Sequence, residues 1–284
     1  MSALPLRAYA PSDDAPRPFL KWAGGKAKLV PEILARFPRR FGTYHEPFLG
    51  GGAVFFALGP RRAVLSDLNA ELIATYSAIR DDVEAVIRAL AVHAVSEEHF
   101  YSVRAASVAG LGNTAVAART IFLNRTCFNG LYRVNSKGQF NVPFGRYANP
   151  KICNADNLRA VSRALQGVPI RHESVFTITP RVAAGDLVYF DPPYDPVSAT
   201  SSFTAYAKTA FGKDEQVALA ALCRELSERG AHVLLSNSDT PFIRELYRDC
   251  EVDTVHCRRP INARADRRGP VTEVLVRLPA GPRG

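Results

Sequence analysis

The chain has 284 residues, 47% hydrophobic and 22% charged, enough for one large domain or two modest ones around a buried core. That balance excludes intrinsic disorder, collagen and coiled coils, and no apolar run is long enough for a transmembrane helix. The net charge of +9 is uneven: positions 99–155 hold seven Lys or Arg and no Asp or Glu, which suits a polyanionic partner such as nucleic acid.

Residues 1–17 carry several Pro and no long apolar stretch, so a disordered leader is expected there rather than a secretory signal. Lys28 to Phe37 places Leu29, Val30, Ile33, Leu34 and Phe37 at helical spacing. An extended run, Tyr44 to Phe48, ends in Gly50-Gly51-Gly52, and a second, Ala63 to Leu65, ends at Asp67. Helical periodicity resumes from Ala70 to Leu90. The middle, 76–165, starts helical and turns irregular and aromatic. Asn129-Gly130 and Asn135-Ser136-Lys137-Gly138 are turn signals that predict β-hairpins. Beyond it, Asp186 to Phe190 reads as a buried strand running into Pro192-Pro193. Asp214 to Arg229 reads as an amphipathic helix, with Val217, Leu222 and Leu226 on its apolar stripe and Gly230 as its stop. His232 to Leu235 is a strand pattern followed by a turn at Ser236 to Thr240. Val252 to Cys257 and Thr272 to Leu278 are two final strands. Strands alternating with helices predict an α/β fold, a mostly parallel sheet covered on both faces. The expected division is 18–75 with 166–284 as one domain, and 76–165 as an insert.

The five Cys contain no C-x-x-C, so neither a disulfide framework nor a zinc site is indicated, and a reducing cytoplasm fits. No metal is expected.

Asp191-Pro192-Pro193-Tyr194 behind a hydrophobic strand is the sharpest motif. As a bare turn, Pro-Pro simply ends strand pairing. Its chemistry offers more. An exocyclic amine on a purine is a poor nucleophile, because its lone pair is delocalised into the ring. The Asp191 carboxylate and the Pro192 carbonyl, both accepting hydrogen bonds from such an amine, pull it toward tetrahedral geometry. Tyr194 offers a face for stacking, and the prolines fix the acceptors in advance.

Glu46-Pro47-Phe48-Leu49-Gly50-Gly51-Gly52 is a Gly-rich turn after a strand, but not the G-x-G-x-x-G of phosphate binding. Asp67 follows at the end of the next strand, at the spacing of an acid that holds ribose hydroxyls. With no phosphate-binding Lys-Ser/Thr, the site suits a nucleoside cofactor without phosphates, such as S-adenosylmethionine. Phe19 to Lys26 (FLKWAGGK) holds the single Trp, which by itself reads equally as core.

These segments together resemble the Dam-type DNA adenine methyltransferases, which methylate the 6-amino group of adenine. The resemblance runs in order through FLKWAGGK (19–26), EPFLGGGAVF (46–55), SDLN (66–69), LNRTCFNGLYRVNSKGQFNVPFGRY (123–147), VYFDPPYDPVSATSSFTAY (188–206) and LSNSDT (235–240). It implies a Rossmann-like S-adenosylmethionine-dependent methyltransferase sheet with an inserted helical and β-hairpin target-recognition domain. It implies that Trp22, Lys26, Glu46, Phe48, Gly50, Asp67 and Asp191 line the cofactor site, and that Asp191 to Tyr194 hold a flipped adenine. Lys21 faces DNA in this reading. Phe128, Asn129, Leu131, Arg133 and Pro143 match positions that address GATC and its neighbourhood. The residue types suit those roles: Arg reads guanine O6/N7, an apolar side chain touches the thymine methyl, and an aromatic fills the gap of an extruded base. Phe128, Phe140 and Phe144 read alternatively as the insert's small core, and Asn129 as a turn residue. The chain departs from the family where Ser238 replaces a frequent His, and where Pro260 and Asn262 replace serines after Arg258-Arg259. The basic loop 264–270 is expected to touch phosphate. The expected partner is double-stranded DNA in the cytoplasm at the nucleoid, with no membrane and with a monomer or weak dimer on DNA. A different GAT-containing site and a catalytically silent DNA-binding relative are the alternatives.

Overall fold

The computed structural model describes residues 14–197, 211–257 and 271–281. Most of the expected leader, part of the segment after Tyr194, Arg258 to Asn262 and the loop 264–270 lie outside the described residues.

Among the described residues the chain forms a seven-stranded sheet, β1 (Tyr44–Glu46), β2 (Ala63–Asp67), β3 (Ile170–His172), β4 (Leu187–Phe190), β5 (His232–Ser238), β6 (Glu251–Cys257) and β7 (Val271–Leu278). Their order is β3-β2-β1-β4-β5-β7-β6. The first five are parallel, and β7 runs antiparallel between β5 and β6. The order reverses between β1 and β4, where open α/β sheets bind ligands beyond their carboxyl ends. Glu46 ends β1, Asp67 ends β2 and Asp191 follows β4, so three acids gather at that edge.

The β4 sequence Leu-Val-Tyr-Phe is buried throughout, as a parallel strand covered on both faces must be. Leu187 and Tyr189 enter one core, with α1 (Val30–Ala35), α2 (Ala53–Leu58), α3 (Ala70–Ala91) and α6 (Ala155–Leu165). Val188 and Phe190 enter the other, under α7 (Lys213–Glu228) and α8 (Pro241–Leu246). The middle of the chain holds α4 (Glu97–Ala105) and α5 (Asn113–Thr126). One side of α5 adds Ala117, Ala118 and Ile121 to the first core. Its other side builds a small core from Phe122, Leu123, Phe100, Cys127, Phe140 and Val142.

Three local expectations change. The predicted hairpins reduce to isolated bridges, Cys127 with Phe144 and Val134 with Phe140. Phe128–Gly130 is a 3-10 turn with Asn129 at φ +55°. Phe128 N–H donates to the Pro143 carbonyl at 2.9 Å, but proline has no N–H to return, so a ladder cannot extend from that pair. The turn expected at Ser236 belongs instead to β5 as far as Ser238, because Ser236, Asn237 and Ser238 align with Leu275, Val274 and Glu273 of β7. Val217 is exposed on α7, whose buried stripe is Gln216, Leu219, Ala220, Leu222, Cys223 and Leu226.

Candidate active site

Asp191 leaves β4 into an ion pair. Lys26 Nζ lies 2.8 Å from its Oδ1, and Ser236 Oγ donates to the same oxygen at 3.0 Å. Ser236 is fixed in turn by the Tyr189 hydroxyl at 2.9 Å. Burial pushes the Asp191 carboxyl above the usual carboxylate range, while Lys26 and Ser236 pull the other way. Lys26 Nζ also sits 4.6 Å from the centre of the Tyr194 ring, so it touches both ends of the tetrapeptide. The Tyr194 hydroxyl donates to Glu273 Oε2 of β7 at 2.7 Å, which anchors the ring's far end.

The prolines are held from behind. Gln216 Nε2 of α7 donates to the Pro193 carbonyl at 2.8 Å, and its Oε1 accepts from Asn237 Nδ2 at 3.0 Å. Asn237 Oδ1 accepts from Asp195 N–H, and Thr240 Oγ1 donates to the Asp195 carboxylate at 2.7 Å. Ser238, at the position of the frequent family His, donates to the Asp195 carbonyl at 2.6 Å. A buried polar network with its partners satisfied fixes one loop geometry.

The Gly-rich turn packs against the indole. Gly50 has φ +47°, and a Cβ there would stand 2.9 Å from Trp22 Cδ1. Gly50 N–H donates to Asp67 Oδ2 at 3.1 Å, and Asn69 N–H to Oδ1 at 2.9 Å. Burial raises the Asp67 carboxyl, and these backbone donors oppose the rise. Phe48 packs edge-on against Phe190 and Phe211, with ring centres 6.5 and 5.6 Å apart. Trp22, Gly50 and Asp67 therefore meet on one side, and Lys26, Asp191 and Tyr194 on the other.

Glu46 ends β1 in the buried floor of this edge. Burial pushes its carboxyl up to about 8, with Asp191 and Asp67 also raising it and the Tyr44 hydroxyl, 2.8 Å from Oε2, opposing. A folded-state value above the unfolded one contributes stability below the unfolded value and loses it as pH rises through the folded one. The isosteric Glu46→Gln is therefore expected to melt higher than the parent at pH 8 and above. The gap should narrow as pH falls toward the ordinary carboxylate range. Melting curves over pH 5–9 check this; parallel curves would contradict it.

The other predicted residues lie on the stretch that follows α5, with Pro143 bonded to Phe128 and Lys21 packed against Gly130 from the segment before α1. Phe128 is 52% and Leu131 39% exposed, and Lys21, Asn129, Arg133 and Pro143 are exposed as well. Asn141 Oδ1 accepts from Arg133 Nε at 2.7 Å. Phe140 belongs to the small core and Phe144 packs against it, whereas Phe128 stands outside. Part of the basic block is structural. Arg119 is buried 3.1 Å from Glu71, Arg125 donates to the Phe19 carbonyl at 2.6 Å, and Arg104 donates to the Val142 carbonyl at 3.2 Å. Among the described residues no group of three or more His, Cys, Asp or Glu is placed to hold a metal, and no helix is long and apolar enough to cross a membrane.

The model of the D12 class N6 adenine-specific DNA methyltransferase family matches residues 22–260. The chain belongs to this family. The methyltransferase is 40% identical over 92% of its length to the type II methyltransferase M1.LlaDCHI of Lactococcus lactis subsp. cremoris, covering 94% of that protein. It is 40% identical over 89% of its length to the type II methyltransferase M.MjaIII of Methanocaldococcus jannaschii, covering 95% of it. It is 36% identical over 92% of its length to the DNA adenine methylase of Escherichia coli K12, covering 94% of it. It is thus an adenine-specific DNA methyltransferase on an α/β sheet of the methyltransferase type.

Sequence reasoning missed several residues that shape the candidate site. Glu273 reaches it only because β7 pairs with β5 beside β4, and no local pattern marks it; Ser236 stands in the LSNSDT motif, but its contact with Asp191 comes from β5 pairing with β4. Gln216 lies in a helix where a polar residue reads as solvent-facing, yet it is 1% exposed.

Proposed function

We propose that this methyltransferase transfers a methyl group from S-adenosylmethionine to the 6-amino group of an adenine flipped out of duplex DNA, within GATC. The observation that carries the reading is the Asp191 carboxylate at the sheet's reversal point, ion-paired to Lys26 and flanked by the Tyr194 ring. When bound, the cofactor supplies a methyl group on a sulfonium. The donor set fits it: a carboxylate at the end of β2, a glycine turn and an indole, with no phosphate-binding lysine motif. Asp67 holds the ribose in this reading, and Trp22, Phe48 and Gly50 wall the pocket. Lys26 and Glu46 complete it beside Asp191.

Asp191 and the Pro192 carbonyl accept the two amine hydrogens, which returns the lone pair to nitrogen. Tyr194, anchored by Glu273, stacks on the base. The Gln216 contact keeps Pro193, and with it the acceptor carbonyl, from moving. Phe128, exposed on its turn, fills the vacancy in the DNA stack. Asn129, Leu131, Arg133 and Pro143 read the site, and Lys21 faces the backbone. Residues 18–75 with 166–284 form the catalytic domain, and 76–165 the recognition insert. The enzyme works in the cytoplasm at the nucleoid, as a monomer or weak dimer on DNA.

The test is to incubate protein, cofactor and plasmid and map methylated adenines by single-molecule sequencing. Methylation confined to GATC is expected. Methylation of another GAT-containing site replaces the specificity and keeps the chemistry. The cofactor has its own test. The chain holds one Trp, so titration with S-adenosylmethionine should give a saturable change in Trp22 fluorescence. A hundredfold excess over Kd should stabilise the fold by about 2.7 kcal/mol, seen as a higher Tm. Neither signal moving would remove Trp22, Lys26 and Asp67 from the cofactor site.

A further inference from the structure

The turn assigned to base reading and the loop assigned to the cofactor are built onto each other. From Phe128 to Arg133, Phe128, Asn129, Leu131 and Arg133 are exposed, while Gly130 is buried and Tyr132 half-buried. Those two inward residues face the Lys21-Trp22 segment. Gly130 approaches so closely that a Cβ there would stand 2.8 Å from Lys21 Cβ. The Tyr132 ring stacks on Trp22, with centres 4.9 Å apart and planes 23° from parallel.

Asn124, 1% exposed on α5, ties the two segments together. Its Oδ1 accepts from Lys21 N–H at 2.8 Å, and its Nδ2 donates to the carbonyls of Lys21 at 2.8 Å and Gly130 at 3.0 Å. Only one amide orientation satisfies a donor on one side and two acceptors on the other. Displacing the turn by even a fraction of an ångström therefore displaces the residue next to Trp22.

We propose that Tyr132 and Asn124 are positioning residues that couple base reading to cofactor holding, so that the right DNA sequence tightens the cofactor and the cofactor tightens DNA. The coupling rests on the roles given above to Trp22 and to Asn129, Leu131 and Arg133. Linkage makes it reciprocal, typically about 5- to 150-fold in affinity. Tyr132 supplies the ring contact between the two segments and Asn124 the backbone bridge.

The experiment measures the Kd of S-adenosylhomocysteine by calorimetry, without DNA and with a duplex carrying the sequence the enzyme methylates. The parent, Tyr132→Phe and Tyr132→Ala are compared. The parent is expected to bind at least about fivefold tighter with DNA. Tyr132→Phe keeps the ring and should keep most of that ratio. Tyr132→Ala should bring the ratio to within about twofold of one. A general loss of packing would weaken both Kd values together and leave their ratio alone. Asn124→Ala, if it folds by circular dichroism, should lower the ratio as well; if it does not fold, Tyr132→Ala decides. A parent ratio of one, or an unchanged ratio in Tyr132→Ala, overturns the coupling while leaving the functional reading intact. Failure of the parent to bind S-adenosylhomocysteine or DNA overturns that reading and the coupling with it.

Discussion

Asp191→Ala is expected to lower methylation by about two to three orders of magnitude while the protein stays folded. The carboxylate lies at the strand end, outside both large cores, so its removal leaves packing intact. The loss is of an acceptor aimed at the amine, and of the anion that orients Lys26 and Ser236. Asp191→Asn keeps an acceptor oxygen without the charge and should fall between the two. The same carboxyl sets a pH dependence. Its value is raised by burial, so on acidification it takes up a proton earlier than an ordinary Asp and stops accepting. Turnover should therefore decline on the acid side above the usual carboxylate range. Lys26 opposes the rise, so Lys26→Met should move that acid limb to higher pH. Steady-state rates from pH 4.5 to 8, with melting curves as the folding control, measure both. A folded Asp191→Ala that kept a tenth of the parent rate would remove Asp191 from the chemistry.

The legible parts of this chain were those in which a local pattern and its tertiary role coincide. A strand buried on both faces must be apolar throughout, so Leu187 to Phe190 announced β4 and placed Asp191 at its end. The glycine turn and Asp67 were legible for the same reason, each closing a short apolar run. The edge strand β3 was not, because Ile170–His172 is short and partly exposed and leaves no alternation to read. Helix α5 hid its boundaries differently. It is buried nearly all round, and its buried polar residues Arg119 and Asn124 are satisfied by Glu71, Lys21 and Gly130, so it shows no apolar stripe. The polar residues Ser236 to Ser238 read as a turn because nothing local reveals that β7 pairs beside them. Glu273 was invisible for the converse reason, a lone acid in an apolar strand whose partner, Tyr194, stands far away in sequence.

Arg133→Ala is expected to relax sequence choice rather than merely weaken binding. The side chain is held by Asn141, whose Oδ1 accepts from Nε at 2.7 Å and whose main-chain carbonyl accepts from Nη2 at 3.3 Å. That clip orients the guanidinium before DNA arrives, which lowers the ordering entropy a flexible Arg would lose on binding. A bidentate contact to guanine contributes about 1–3 kcal/mol of discrimination. The rate on GATC should fall about 5- to 150-fold relative to sites altered at the outer base pair, the same energy expressed as a ratio. Asn141→Ala should give a weaker version of that change, because it removes the Oδ1 contact to Nε and leaves the guanidinium in place. Lys151, exposed beyond the turn, is a phosphate contact in this reading and specifies nothing by itself. Its replacement by Ala should lower binding to every sequence alike and make the salt dependence shallower by about 0.9 in log–log slope. Arg146 lies 3.7 Å from Glu97, so its charge is already partly answered and its removal should cost less than that of Lys151. Methylation rates on duplexes with single base-pair changes, taken at two salt concentrations, separate the cases. Should Arg133→Ala scale all sites down equally, Arg133 is a phosphate contact and the reading of the outer base pair passes to another residue on the same turn.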